Sequence, residues 1–251
     1  MCMGFGCNAA GVSSCRIIDS PRERLIAILT NTFSICNGRF PTLIALATIF
    51  MGTLVARAYS SILATLAVVA IIMTGILTSL LVSYLLSRTL LKGVSSFFVL
   101  ELPPFRKPQL GQILIRSLLD RTLFVLWRAV VIAAPAGALT WILANSFIAD
   151  TSVFALIAGW LDPMGQLMGM DGIILIAFLL GLPANEIVLP ILIMGYLSAG
   201  SMLELDSLNA LRTLLLEHGW TWITALCVML FSLLHFPCGT TLYTIFKETH
   251  S

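Results

Sequence analysis

Residues 172–198 read GIILIAFLLGLPANEIVLPILIMGYLS, and this stretch decides the class of the protein. As one helix it would be long enough to cross a bilayer, which takes about 20 apolar residues. Its middle, however, holds Gly181, Pro183, Asn185 and Glu186. Proline fixes φ and removes a backbone donor, and an ionisable side chain at that depth costs on the order of 3 kcal/mol on insertion scales. In lipid a helix persists because it satisfies its own backbone groups, and irregular backbone is tolerated only where it is buried in protein or lines a polar cavity. A span interrupted here therefore marks a pathway, the device with which transporters build substrate sites. Carbonyls freed near Pro183 and Pro190, together with the Glu186 carboxylate, are ligands for a cation. The competing reading of Glu186 is a protonated or hydrogen-bonded structural carboxyl group.

Composition agrees with that class. The 251 residues are 59% hydrophobic and 10% charged, with a mean hydropathy of +1.01, whereas soluble domains carry about 25% charged residues. Lipid must be the solvent for much of the exterior. Charge is also unevenly spread: residues 1–128 hold 12 of the 14 Lys/Arg and 4 of the 12 Asp/Glu, a net +8 against −6 for the remainder. In a membrane protein this asymmetry sets orientation. No basic stretch is interleaved with solvent-facing aromatics, so nucleic acid is excluded as a partner. Met1–Ser14 lacks the basic start and apolar core of a signal peptide and reads as a start within something longer.

The apolar runs define an all-α polytopic membrane protein with about five transmembrane helices plus two re-entrant or broken pieces. Pro41–Tyr59 and Ile62–Leu86 form a hairpin turned at Tyr59–Ser61, with Arg57 able to snorkel. Leu123–Ser146 is a third span, with a kink expected at Pro135 and Gly137. Val153–Leu161 is too short to cross and reads as re-entrant or interfacial. Gly172–Ser198 is the interrupted span, 199–219 a polar connector, and Trp220–Phe236 the last long helix before a short tail. Between the hairpin and the third span lies ELPPFRKP (101–108), an extended elbow, followed by a helix at 111–128 with apolar and charged residues on separate faces, suited to the interface. Its basic residues place the elbow in the cytoplasm. Three parts follow: a first region at 1–87, the elbow and interfacial helix at 88–122, and a second region at 123–251.

Three further breaks carry chemistry: Gly4-Phe5-Gly6-Cys7-Asn8, Cys36-Asn37-Gly38-Arg39-Phe40-Pro41, and Pro237-Cys238-Gly239. Each sets a cysteine beside Gly or Asn. Thiolate with carboxylate and carbonyl suits a borderline divalent transition ion better than Mg²⁺ or Ca²⁺, although a single cysteine is more often a small apolar packing residue. Cys227, mid-helix, takes that second reading. His235, one turn before Cys238, either joins a metal site or makes a polar helix contact. Asn8, Asn37, Asn185 and Pro183 support the breaks, and Arg39 caps or anchors one of them. CNGRFPTLIALATIF (36–50) and CGTTLYTIF (238–246) show a weak internal repeat, as duplicated transporter halves would. No Ser/His pair or paired carboxylates occur at depth, so the chain reads as no enzyme, with no catalytic residues and no permanently bound cofactor.

In order along the chain, GFGCN (4–8), RERL (22–25), CNGRFPT (36–42), ELPPFRKP (101–108), GLPANEIVLP (181–190) and FPCGTTLYTIFKE (236–248) resemble the membrane portion of FeoB, the bacterial ferrous iron transport family. The resemblance implies a pair of gate-type repeats in the inner membrane that pass Fe²⁺ to the cytoplasm, at Cys7, Cys36, Glu186 and Cys238. The family's GTP-binding domain has no counterpart here, for no GxxxxGK[ST] occurs. The implied partners are therefore a GTP-binding domain supplied separately or missing, small accessory proteins, lipid, and other copies of the chain. Two departures, CNGRFP where CSARLP is usual and ANE where AKE is typical, leave Mn²⁺ open as the ion. A gate-type carrier of a nucleoside or other small solute, and an inactive truncated remnant, are the alternatives.

Overall fold

The structure, a computed structural model, describes residues 2–52, 59–89, 111, 115, 123–148, 151–198, 200, 201, 205 and 207–249. The ELPPFRKP elbow, most of the interfacial helix and Arg57 lie outside the described residues. What is described is almost entirely helical. A single two-stranded hairpin, β1 (Phe147–Ile148) antiparallel to β2 (Thr151–Ser152), is the exception among the described residues.

The first region opens with α1 (Asn8–Ser14) and α2 (Pro21–Asn31). Helix α2 starts where the sequence says it should: the Ser20 hydroxyl accepts from the Glu23 N–H and Pro21 occupies the first turn. After a break, α3 (Phe40–Leu46) runs into one wide turn, Ala47–Met51, closed by the Gly52 N–H donating to the Ala47 carbonyl at 3.0 Å. The expected hairpin partner is α4 (Ser60–Arg88), 29 residues with no interruption. It buries only Ala64, Ile71, Gly75 and Ser79 and exposes Leu66, Leu77, Leu80 and Leu81. A helix apolar all round with one narrow buried stripe is a lipid-facing span.

The second region begins with α5 (Phe124–Asn145), which stays one helix through Pro135. Helix α6 (Val153–Leu167) is longer than its apolar run and continues through Pro163. It turns by 108° into α7 (Gly172–Leu180), making a broken span or a re-entrant pair. The turn is tight because Gly172 has no side chain: a Cβ there would meet the Ala158 carbonyl carbon at 2.8 Å and the Asp162 nitrogen at 2.9 Å. Asp171 caps α7, its Oδ1 accepting from the Ile174 N–H at 2.7 Å, and Asp162 accepts from the Gly172 N–H at 3.0 Å. The interruption at 181–187 follows, then α8 (Val188–Leu197). Pro190 falls in the first turn of α8, where its missing N–H costs no helical bond.

One expectation for the C-terminal part is corrected. The 199–219 connector contains α9 (Leu208–Glu217), because Leu211, Leu214 and Leu215 fall on one face and are buried. Beyond the last break the run that begins at Cys238 resumes as a helix: α10 (Trp222–Leu234) and α11 (Gly239–Thr249) are separated by a short break and together make a 28-residue apolar segment. Among the described residues, α4 and the α10–α11 segment are long and apolar enough to cross a membrane, and the bent α6–α7 pair makes a third if counted as one span. The structure does not confirm the expected count of about five. One apolar core, including Leu43, Leu46, Ile174, Ile191, Met229 and Leu233, joins both regions. Helix α1 packs on α11, where the Arg16 guanidinium donates twice to Glu248, at 2.6 and 2.5 Å.

Candidate functional site: a crossing of four breaks

The break at 36–39 and the break at 184–187 share one backbone. Each starts with an extended residue, Cys36 (φ −80°, ψ 162°) and Ala184 (φ −149°, ψ 119°). Each continues as a tight three-residue turn led by asparagine, Asn37–Arg39 and Asn185–Ile187, and resumes as a helix with proline in its first turn. Extended backbone at membrane depth leaves N–H and C=O groups unpaired, and these must find partners in other segments. They do. The Asn37 N–H donates to the Gly6 carbonyl at 3.2 Å, and the Gly239 N–H donates to the Leu182 carbonyl at 2.6 Å. In both cases the residue following the cysteine of a break bonds into a glycine-containing loop of its own half.

The two halves then meet. The Asn185 side-chain amide donates to the Cys36 sulfur at 3.8 Å. A Cβ on Gly38 would lie 3.0 Å from Glu186 Cγ and 3.1 Å from its Oε1, so the Glu186 side chain rests directly against the bare Gly38 backbone. Arg39, only 1% exposed, crosses to the last break and donates to the carbonyls of Leu233 at 3.2 Å and Phe236 at 3.1 Å. All four breaks singled out in the sequence therefore converge on one crossing.

Exposure varies among the candidate residues. Cys7 caps α1 without a side-chain hydrogen bond and is exposed. Asn37 and Glu186 are exposed, Cys36 is buried, and Cys238 and Pro183 are partly buried. Glu186, midway along its apolar segment, is exposed where its turn projects it over Gly38. The Cys238 thiol lies 3.2 Å from the Thr241 hydroxyl. Asn8 is buried; with its amide oriented to suit its neighbours it donates to the Gly4 carbonyl at 2.9 Å and the Ser34 carbonyl at 3.2 Å. His235 faces the carbonyls of Phe231 and Ser232 with Nδ1. Two acceptors there make Nδ1 the protonated nitrogen. Nε2 is buried with no hydrogen-bond partner among the described residues, amid the rings of Phe178, Phe231 and Phe236. Among the described residues no three His, Cys, Asp or Glu side chains gather into one metal-binding cluster. The candidates surround the crossing instead of forming one coordination shell.

Two residues of this crossing carry too little weight in the sequence. Arg39 reads there as a cap of its own re-entrant piece, whereas it grips a helix end nearly 200 positions away. Asn31 does not stand out at all. It is 1% exposed, and its Nδ2 donates to the Asn8 carbonyl at 3.0 Å. A polar residue inside the apolar run 25–35 is the available signal for it.

Paired helices broken at a shared polar crossing define a membrane protein of the gate class. Residues 126–251, half the chain, match the gate family, described as nucleoside recognition, and residues 68–120 match the C terminus of ferrous iron transport protein B. The Fe(2+) transporter FeoB of Methanocaldococcus jannaschii is 27% identical over 262 residues, 99% of this chain and 36% of the relative. That of Staphylococcus aureus strain COL is 27% identical over 263 residues, covering all of this chain and 36% of the relative. That of Legionella pneumophila strain Lens is 28% identical over 219 residues, 82% of this chain and 28% of the relative. No solved structure matches. The chain belongs to the FeoB ferrous iron transport family and corresponds to its membrane portion, spanning about a third of the length of these relatives.

Proposed function

We propose that this chain forms the path by which a ferrous ion crosses the bacterial inner membrane toward the cytoplasm. The observation that carries the reading is the contact of Glu186 with Gly38 beside Cys36, where breaks from the two halves cross. Thiol, carboxylate and backbone carbonyl together suit a borderline divalent ion. The ion passes stepwise among Cys7, Cys36, Glu186 and Cys238, with the breaks opening alternately. Sites arranged in series, each short of a full coordination shell, let an ion bind and also leave. Asn8, Asn37, Asn185 and Pro183 hold the loop shapes, and the bare Nε2 of His235 is a further nitrogen that the ion can meet near Cys238. The chain itself performs no catalysis. A GTP-binding domain, on the same longer protein or a separate one, supplies any nucleotide hydrolysis, and small accessory proteins or further copies of the chain complete the assembly.

The test is uptake of radioactive ferrous iron into sealed membrane vesicles, comparing wild type with Glu186→Gln and Cys36→Ser. Loss of one ligand lowers uptake on the order of tenfold or more. Uptake by both variants at the wild-type rate overturns the ligand assignment. Preference for Mn²⁺ in competition reassigns the ion, and uptake of uridine in place of iron favours the solute carrier.

A further inference from the structure

Arg39 is a permanent cation in the interior, since guanidinium stays protonated in proteins. A buried charge needs compensation. Among the described residues, no carboxylate lies within ion-pair distance of it; the ion pair they form is Arg16–Glu248. What holds Arg39 is the C-terminal end of α10. The last four carbonyls of a helix lack intrahelical partners and carry partial negative charge. Arg39 takes the Leu233 carbonyl from that end and the Phe236 carbonyl from the break that follows. Its Nε has no hydrogen-bond partner among the described residues. It also stands within electrostatic range of both Cys36 and Cys238.

The guanidinium thus leaves one gate turn (37–39) and fastens the other (235–238). The two breaks cannot separate while both hydrogen bonds are made. The oxygens it occupies are moreover of the kind a permeating cation needs.

We propose that Arg39 is a tethered internal cation that latches the crossing shut by occupying the Leu233 and Phe236 carbonyls, and that a cation arriving at Cys36 and Glu186 releases it by charge repulsion. This role rests on the reading of the crossing as a path. Arg39 is a positioning residue, acting through the cysteine-bearing breaks. Release frees two carbonyl oxygens next to Cys238 and loosens α11 from α10, so one event both opens the break and supplies ligands. Lysine could not replace it: an ammonium is a compact point charge without the planar fork that spans two acceptors.

The experiment reads thiol access with no ion present, so it stands or fails independently of the cargo. The full chain in sealed vesicles is treated with N-ethylmaleimide, and each cysteine is followed by peptide mass spectrometry. In Arg39→Gln, Cys36 and Cys238 should react on the order of tenfold faster than in wild type, as expected for losing two charge-assisted hydrogen bonds, with Cys227 unchanged. Removing nearby positive charge by itself slows thiol alkylation, so acceleration reports opening. Arg39→Lys should show a smaller acceleration of the same two cysteines, and it carries the test alone if Arg39→Gln fails to accumulate. Unchanged rates at Cys36 and Cys238, or an equal acceleration at Cys227, overturn the latch. In wild type, ferrous iron that protects Cys36 but leaves Cys238 as slow as before would overturn the release step while sparing the proposed path.

Discussion

The breaks at 36–39 and 184–187 have the same backbone and opposite chemistry. One carries a thiol, a bare glycine and a guanidinium; the other carries alanine, a carboxylate and isoleucine. The difference is complementary: where one turn has Gly38 the other has Glu186, and the carboxylate fills the space a Cβ would take. Two breaks with identical side chains could not pack this way, because a carboxylate at position 38 would meet the Glu186 carboxylate. The shared backbone supplies the frame, and the differing side chains supply the contact between the two breaks.

The supports behind the two breaks differ as well, and that difference can be tested. Behind the second break, Gly172 meets backbone, the carbonyl of Ala158 and the nitrogen of Asp162, which cannot rotate aside. Behind the first, Gly11 meets a side chain: a Cβ there would lie 2.5 Å from Asn31 Oδ1 and 2.7 Å from Nδ2. The largest loss of stability should therefore come from Gly172→Ala, about 3 kcal/mol or more, as forced backbone shifts cost. Gly11→Ala should cost less, about 1–2 kcal/mol, because Asn31 can turn at the expense of its bond to the Asn8 carbonyl. Thermal unfolding in detergent, followed by tryptophan fluorescence, ranks the two. The reverse order would mean that the first half is the stiffer support.

A third variant probes a polar knot of the second half. The Tyr196 hydroxyl donates to Asp171 at 2.5 Å and accepts from the Trp220 indole at 2.6 Å, tying the end of α8 to the cap of α7 and to the start of α10. An ionised carboxylate only accepts and an indole N–H only donates, so the hydroxyl between them has one role toward each. Tyr196→Phe leaves the indole N–H without its acceptor and should cost about 1 kcal/mol, with a shift in tryptophan emission. No change in either signal would remove this knot from the account of why the second half holds its shape.

The positions of the breaks are legible in the sequence because lipid leaves backbone groups no water to turn to. Gly, Pro, Asn and a charge clustered inside an apolar run therefore mark a place where the helix stops. The uninterrupted α4 is legible for the opposite reason: it contains nothing that breaks a helix. Where the breaks meet is not legible. The contact of Asn185 with Cys36 joins residues 149 positions apart, and no local pattern encodes it. Helix α9 is hidden because Ser201, Glu204, Asp206 and Ser207 make the whole connector look polar, although the leucine spacing after them is helical. Helix α11 is legible as the apolar run that resumes after Cys238; its joining with α10 into one span is not, because the run is short on its own. Arg39 reads locally, as arginines in loops usually do, but its reach carries it into the other half.

The smallest expected effect lies where the two ends of the chain touch. Arg16 and Glu248 form a two-pronged pair between α1 and α11, and the Glu248 carboxylate strengthens proton binding by the Arg16 guanidinium. The Arg16 side chain is 60% exposed and the Glu248 side chain 9%, so water and salt screen the pair from the arginine side and its contribution is small. Arg16→Ala should lower the unfolding temperature only slightly, through the Glu248 carboxylate left without its partner, and leave ferrous uptake near wild type. The contact between α1 and α11 rests instead on packing, with Val12 fully buried and Ile245 against it. If Arg16→Ala instead accelerated maleimide labelling of Cys7, the ends would be acting as a clasp on the first break, and the latch at Arg39 would have a counterpart on the other side of the crossing.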